Sequence, residues 1–361
     1  MTTPESTAAA AACDPALADE LQAALDAAVA APGGPPGVML RVSGERLGFW
    51  AGAVGLGEIA SRTPMRASDR FRAGSIMKPF VAAAVLQLAE DGTLSLDSAL
   101  PDVLPEHTHG RFQDAHSITV RRLLNHTAGL PEWLGPPIRA QLMANPRRVW
   151  GVAEFLEISG AQERVLPPGA RYAYSNTHYN LLGAIIEHAT GVTWRDAVRE
   201  RVIARAGLGE TSLPEPGDAW IPGEHAHGYE GAIDVTYVDP SMAGAAGGGA
   251  LITTLADLAR FWDALLAGDL LRRGETLREM LAFVDAPDVG GQVGYGLGVQ
   301  RYVLPGGLEV IGHLGSTAGY RAFGGRVRRL GVTVAMAMNT PADPAPVLLP
   351  ALDAMRRNLR P

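Results

Sequence analysis

Leu17, Leu21, Leu25 and Val29 recur at every fourth position, which predicts an amphipathic helix over residues 15–31. The run APGGPPG that follows ends it. Residues 37–44 (GVMLRVSG) and 48–54 (GFWAGAV) read as two strands of a hairpin. An apolar run over 76–91 predicts a helix opening at Ser75, with Pro79 near its start, where a missing N–H costs little. From about 92 to 245 the pattern changes: helical stretches at 118–125, 152–158, 178–190 and 194–206 are separated by loops rich in Pro and Gly. The last third returns to strands, at 297–304, 308–314, 321–328 and 332–338, and a helix from about 345 to 358 closes the chain. The run AGAAGGG (243–249) reads as a tight turn before ALIT.

Strands at both ends with helices between predict an α/β (α+β) fold: an antiparallel sheet made by the two chain ends and flanked by helices, with a mainly helical domain inserted. The expected organisation is a disordered lead at 1–14, a sheet domain from 15–91 and 246–361, and the helical insertion at 92–245. No internal repeat is visible.

Composition narrows the function classes. A net charge of −7 over 361 residues, with no long basic run, argues against a nucleic-acid partner. No stretch reaches the 18 or so uninterrupted apolar residues of a membrane span. The first twenty residues lack both a basic region and a leucine-rich core, so they read as a disordered lead-in to a cytoplasmic protein, with a truncated export signal on a secreted one as the alternative. The one cysteine, Cys13, allows no intrachain disulfide.

The cations change the picture. Lys and Arg together number 31, and Lys78 is the sole lysine, so thirty are arginine. A guanidinium stays protonated, whereas an ammonium gives up its proton when desolvated. A lone lysine among arginines therefore points to a position where the proton moves. Ser75 and Lys78 stand three apart on the predicted helix and share a face one turn apart. A serine hydroxyl is a weak nucleophile that needs such a neighbour. Two further segments belong with this pair: Tyr174-Ser175-Asn176 in YAYSNTHYN, and His313-Leu314-Gly315 in GHLGSTAGY.

Ser-x-x-Lys opening a helix, Tyr-Ser-Asn in the helical middle and His-x-Gly on a late strand match in order and location the three signatures of the serine β-lactamases and penicillin-binding proteins. The chain resembles the class C β-lactamase and D-alanyl-D-alanine carboxypeptidase superfamily, most closely the secreted carboxypeptidases of actinomycetes. The likeness runs from about 15 to 358 and includes DRFRAGS, HTAGL, AYSNTHY, IPGEHAHGY and GYGLG. It implies that Ser75 is the acylated nucleophile, with Lys78 helping to remove its proton. Tyr174 would shuttle protons between Ser75 and the leaving group, as a phenolate held by Lys78, and His313 would support it. Asn176 would bind the acyl part of the substrate. Backbone N–H groups of Ser75 and Ser316, beside Gly315, would form the oxyanion hole. No cofactor and no metal are implied. His126 reads as a structural hydrogen-bonding residue, and Trp133 as either a wall of the substrate pocket or packing at a domain seam.

The chain also departs from that pattern. The carboxypeptidase branch holds the substrate's free carboxylate with an arginine thirteen residues before the His-x-Gly histidine and with threonines flanking the glycine. Here those positions are Gln300, Leu314 and Ser316. A carboxylate would lose its charge-assisted partner there. Arg301 should face the other side of its strand, because side chains alternate, and Arg321 is another potential substitute. The expected function is a serine hydrolase or acyltransferase that acts on a small ester or amide, with water or an amine as acceptor. The alternatives are a D-alanyl-D-alanine carboxypeptidase or, outside enzymes, a β-lactam-type sensor.

Overall fold

A computed structural model describes residues 12–243 and 251–359. Nine strands form one antiparallel sheet: β1 (Gly37–Gly44), β2 (Gly48–Glu58), β3 (Thr63–Pro64), β4 (Val284–Asp285), β5 (Gln292–Tyr295), β6 (Gln300–Leu304), β7 (Leu308–Thr317), β8 (Tyr320–Val327) and β9 (Val332–Met338). Their order is β3-β2-β1-β9-β8-β7-β6-β5-β4, so the N-terminal hairpin joins the C-terminal meander through β1 and β9. The 37–44 and 332–338 strands have the bounds that the sequence predicts. The hairpin's second strand runs on to Glu58, and β7 runs on to Thr317, three residues beyond the expected end.

Five helices matter for the site: α1 (Pro15–Ala30), α2 (Met77–Glu90), α3 (Asn176–Thr190), α4 (Leu255–Ala267) and α5 (Ala345–Asn358). α1 and α5 pack together over one sheet face, and their leucines share a core with Val38, Leu40, Phe323, Val334 and Met336. α4 covers the other face, against β1, β8 and β9. It is a helix that the sequence reading passed over, although Leu255, Leu258, Phe261, Trp262 and Leu265 repeat at helical spacing and are buried. α2 is buried at every position but Ala89, which explains its apolar run without amphipathic period. Phe80 of α2 stacks on Phe261 of α4 at 3.7 Å between ring centroids. α3 packs beside α2.

Two expected helices are shorter or altered. The 118–125 stretch is helical only over Val120–Leu124, where Thr119 caps it. The 194–206 stretch is α-helical over Trp194–Val198 and continues as a wider π turn over Arg199–Ala204. At the N-terminus, Ala12 bridges to Phe49, Cys13 is buried and Asp14 caps α1. The last three residues of the expected disordered lead are therefore fixed to the sheet, because Cys13 N–H donates to the Phe49 carbonyl at 3.1 Å. Residues 1–11, and the turn expected at 243–249 apart from Ala243, lie outside the described residues. No described helix is long and apolar enough to cross a membrane.

Candidate active site

The nucleophile candidate sits on a short 3-10 turn, Gly74–Ile76, that feeds into α2. Two glycines let this turn lie against β7. Gly74 has φ +58°, a conformation that disfavours other residues, and a Cβ there would stand 2.6 Å from the Ser316 nitrogen. A Cβ on Gly315 would collide with the Ala73 carbonyl oxygen. The backbone at Ser75 is thereby brought beside that at Ser316.

Tyr174 and Asn176 are placed by the start of α3. Ser175 caps the helix: its Oγ accepts from Thr177 N–H at 3.2 Å and donates to the Pro131 carbonyl at 2.9 Å. Asn176 thus becomes the first helical residue, and Tyr174 lies just outside. His126 holds the same junction. Its carbonyl accepts from Ala173 N–H at 2.8 Å, and its Nδ1 accepts from Ser175 N–H at 3.4 Å, so both neighbours of Tyr174 bond to one residue. His126 Nδ1 also lies 2.8 Å from Nδ1 of His178. His126 adopts φ +58°, uncommon for a residue with a side chain.

Around Ser75 the polar atoms form one chain. Tyr174 OH donates to Ser75 Oγ at 2.9 Å. Ser75 Oγ lies 3.0 Å from Lys78 Nζ. Lys78 Nζ donates to Asn176 Oδ1 at 2.8 Å, and Asn176 Nδ2 donates to Glu132 at 3.0 Å. Glu132 also accepts from the backbone N–H of Asn176 at 2.8 Å and from Leu134 N–H at 2.9 Å. Glu132 was not among the residues that the sequence singled out. Its only signal was an acidic residue in the otherwise apolar stretch GLPEWL.

Burial sets the protonation states. It pulls the fully buried Lys78 ammonium down to about 7, and the Glu132 carboxylate only partly opposes it. Burial pushes the Tyr174 phenol well above its usual value, so the group is a neutral phenol and the expected phenolate is not favoured. With Lys78 as a free amine, every bond in the chain runs one way: Tyr174 to Ser75, Ser75 to Lys78, Lys78 to Asn176 and Asn176 to Glu132.

His313 departs from its expected role. Its Nδ1 lies 2.7 Å from the Leu314 carbonyl and so carries the proton, while Nε2 lies 2.9 Å from the hydroxyl of Tyr295. Burial and the Lys78 charge pull its pKa down to about 3, so the ring is neutral. It lines the cleft, but its hydrogen-bond partner is Tyr295, from the GYGLG segment, rather than Tyr174.

The cleft, with a volume of about 440 Å3, is lined by Ser75, Tyr174, Asn176, Gln300, His313, Leu314 and Ser316 among others. Gln300 reaches it, but its amide is already bound. Its Oε1 accepts from Tyr302 OH at 2.6 Å and from Leu314 N–H at 2.7 Å, and its Nε2 donates to Gln292 at 2.7 Å. Arg301 pairs with Glu309 and lies outside the cleft lining, as strand alternation predicts. Arg321 does line it, with its guanidinium donating to the carbonyls of Pro341 and Ala342. Trp133 does not. It is 1% exposed and packs on Phe155 in a small separate core with Leu142 and Trp150, which settles its two readings in favour of packing. Among the described residues no cluster of acidic, histidine and cysteine side chains could hold a metal.

Residues 21–354 match the family described as Beta-lactamase, and the chain belongs to that family. A D-stereospecific amidohydrolase from Streptomyces sp. has a similar solved structure, 32% identical, covering 92% of this chain and 97% of its own, with a TM-score of 0.82. D-amino acid amidase from Ochrobactrum anthropi SV3, solved with L-phenylalanine amide, is 28% identical, covering 95% and 99%, with a TM-score of 0.83. Penicillin-binding protein 4* of Bacillus subtilis (strain 168) is 28% identical over 288 residues, 74% of this chain. The chain spans 60% or less of the length of the first curated relatives it matches.

Proposed function

We propose that the protein is a serine amidase and esterase that forms an acyl-enzyme on Ser75. The observation that carries this reading is the one-way hydrogen-bond chain from Tyr174 through Ser75 and Lys78 to Asn176. The Lys78 amine takes the Ser75 proton as Oγ attacks the substrate carbonyl. Backbone N–H groups at Ser75 and Ser316 hold the oxyanion. The Tyr174 hydroxyl gives its proton to the departing amine or alcohol and is reprotonated from the Lys78 ammonium, so one proton travels from serine to leaving group. Water, or an amine, then takes the acyl group by the reverse route. In this reading the insertion at 92–245 supplies Glu132, Tyr174 and Asn176, while the sheet domain supplies Ser75, Lys78 and β7.

The substrate class that fits best is an amide or ester of a D-amino acid. Two of the structural relatives are named for D-stereospecific or D-amino acid amide chemistry. The carboxylates of Glu230 and Asp288 in the cleft wall offer partners to a substrate carrying a free ammonium. Gln300, with its amide bound internally, offers no cation to a terminal carboxylate. The carboxypeptidase reading keeps a specific support, the presence of two cations, Arg139 and Arg321, in the cleft wall. A cytoplasmic site of action is part of the same proposal, to be decided by fractionating host cells.

The test compares kcat/KM for D-alanine amide and methyl ester with that for D-alanyl-D-alanine, and follows Ser75 by intact mass. Turnover of the amide or ester, with an acyl adduct that Ser75→Ala abolishes, supports the reading. A preference for the free dipeptide restores the carboxypeptidase. A single round of labelling without turnover by any substrate indicates a sensor.

A further inference from the structure

A second cavity of about 630 Å3 lies between the sheet and the start of α5. Its walls are apolar: Tyr302, Val310, Leu314, Phe323, Leu348 and Leu352. Leu314 and Arg321 line both this cavity and the catalytic cleft. On the cleft side the boundary is Gln300, whose Oε1 is bonded to Tyr302 OH and Leu314 N–H, so the two cavities meet across one hydrogen-bonded unit. At the outer rim Val303 and Leu349 are 42% and 40% exposed, large apolar side chains left facing water.

Alternation along β7 produces this arrangement. His313 turns toward Tyr295 and the cleft, while Leu314, the next residue, packs partly buried against the α1 and α5 core. A polar residue at 314 would have ended the apolar surface at the cleft. Leucine continues it.

We propose that this cavity is a subsite that takes an apolar arm, aliphatic or aryl, of the ester or amide turned over at Ser75. The inference rests on the serine amidase and esterase reading. The volume is within the range of small-molecule sites. The only charged groups in its lining, Arg321 and Asp343, leave no polar set to hold a hydrophilic substituent. The arm belongs either to the acyl group or to the leaving alcohol or amine, and the experiment separates the two.

Two ester series are measured on the wild-type protein. One keeps D-alanine and lengthens the alcohol from methyl to octyl. The other keeps the methyl ester and lengthens the D-amino-acid side chain over the same range. Each buried methylene is worth up to about fourfold. One series is therefore expected to rise at least tenfold in kcat/KM before levelling, with the other nearly flat, and the rising series names the arm. In Val303→Asp and Leu349→Asp, at the exposed rim, the octyl-to-methyl ratio of that series is expected to fall at least threefold. Two flat series, with methyl esters still turned over, overturn the subsite and leave the amidase and esterase reading standing. Absence of an acyl adduct from every ester overturns both.

Discussion

Glu132 fixes which way the side-chain amide of Asn176 points. A carboxylate only accepts, so the Nδ2 of Asn176, 3.0 Å away, must be the end that faces it. Oδ1 is then left toward Lys78 Nζ at 2.8 Å. One acidic residue in a loop thereby sets the direction of a chain that passes through the nucleophile.

The charge and the orientation can be separated by two substitutions. Glu132→Gln keeps an oxygen that accepts from Asn176 and removes the charge. Because Glu132 raises the Lys78 pKa against burial, its loss lowers that pKa further. The acid limb of the kcat/KM profile is expected to move to lower pH, with a loss of about tenfold or less in the plateau rate. Glu132→Leu removes the acceptor as well, and the plateau is expected to drop by about 10²-fold. Equal pH profiles in wild type and Glu132→Gln would remove the electrostatic link.

Lys78 is expected to act as a free amine, so kcat/KM should rise with pH through an apparent pKa near 7, where burial has placed it. Lys78→Arg keeps the charge and cannot give up the proton. A loss of about 10²-fold or more in acylation is expected, with the limb near pH 7 gone. Stopped-flow acylation across pH 5–9 reads both. A Lys78→Arg protein with near-normal rates would show that positive charge alone suffices.

Tyr174→Phe keeps the ring that stacks near His126, with centroids 4.4 Å apart, and deletes the hydroxyl bonded to Ser75. The variant is expected to fold with an unchanged thermal midpoint and to lose about 10²-fold in kcat. The loss should be greater for amides than for activated esters, whose leaving groups need no proton. Equal losses on both would place the proton donor elsewhere.

Gln300→Leu is expected to be chiefly a stability variant. It strips partners from Leu314 N–H, Tyr302 OH and Gln292 in a buried setting, and an unsatisfied buried group costs about 1–3 kcal/mol. Thermal and urea melts should show that loss. An unchanged melt would mean that Gln300 is held more loosely than its three bonds imply.

The parts of this structure legible in the sequence are those written in local pattern. The closing strand at 332–338 and the helix at 345–358 have their predicted bounds: the strand is a short apolar run bounded by Gly331 and Asn339, and the helix is an amphipathic stretch that opens after Pro344. Ser75, Lys78, Tyr174 and Asn176 fell into two recognisable segments, and the fold brings them within hydrogen-bond reach. What escaped depends on distance along the chain. Glu132 acts across 44 residues on Asn176, and no spacing announces that. The pairing of His313 with Tyr295 is fixed by packing of β5 and β6 beside β7, which sequence does not express residue by residue. Trp133, next to Glu132, packs into a separate cluster, a choice between its two readings that only the packing of neighbouring elements could make.

The scarcity of lysine has a consequence for the proposed acyl-enzyme, in which Ser75 carries an activated acyl group. Such a group is open to any uncharged amine that reaches it, including those on a neighbouring copy of the same protein. Guanidinium groups, protonated throughout the neutral range, are poor acceptors. With thirty arginines and a single, fully buried lysine, the folded chain exposes no side-chain amine to be modified by its own product-forming intermediate. On the acyl-enzyme reading, the protein held at high concentration with an ester substrate is expected to gain no side-chain amides at its surface.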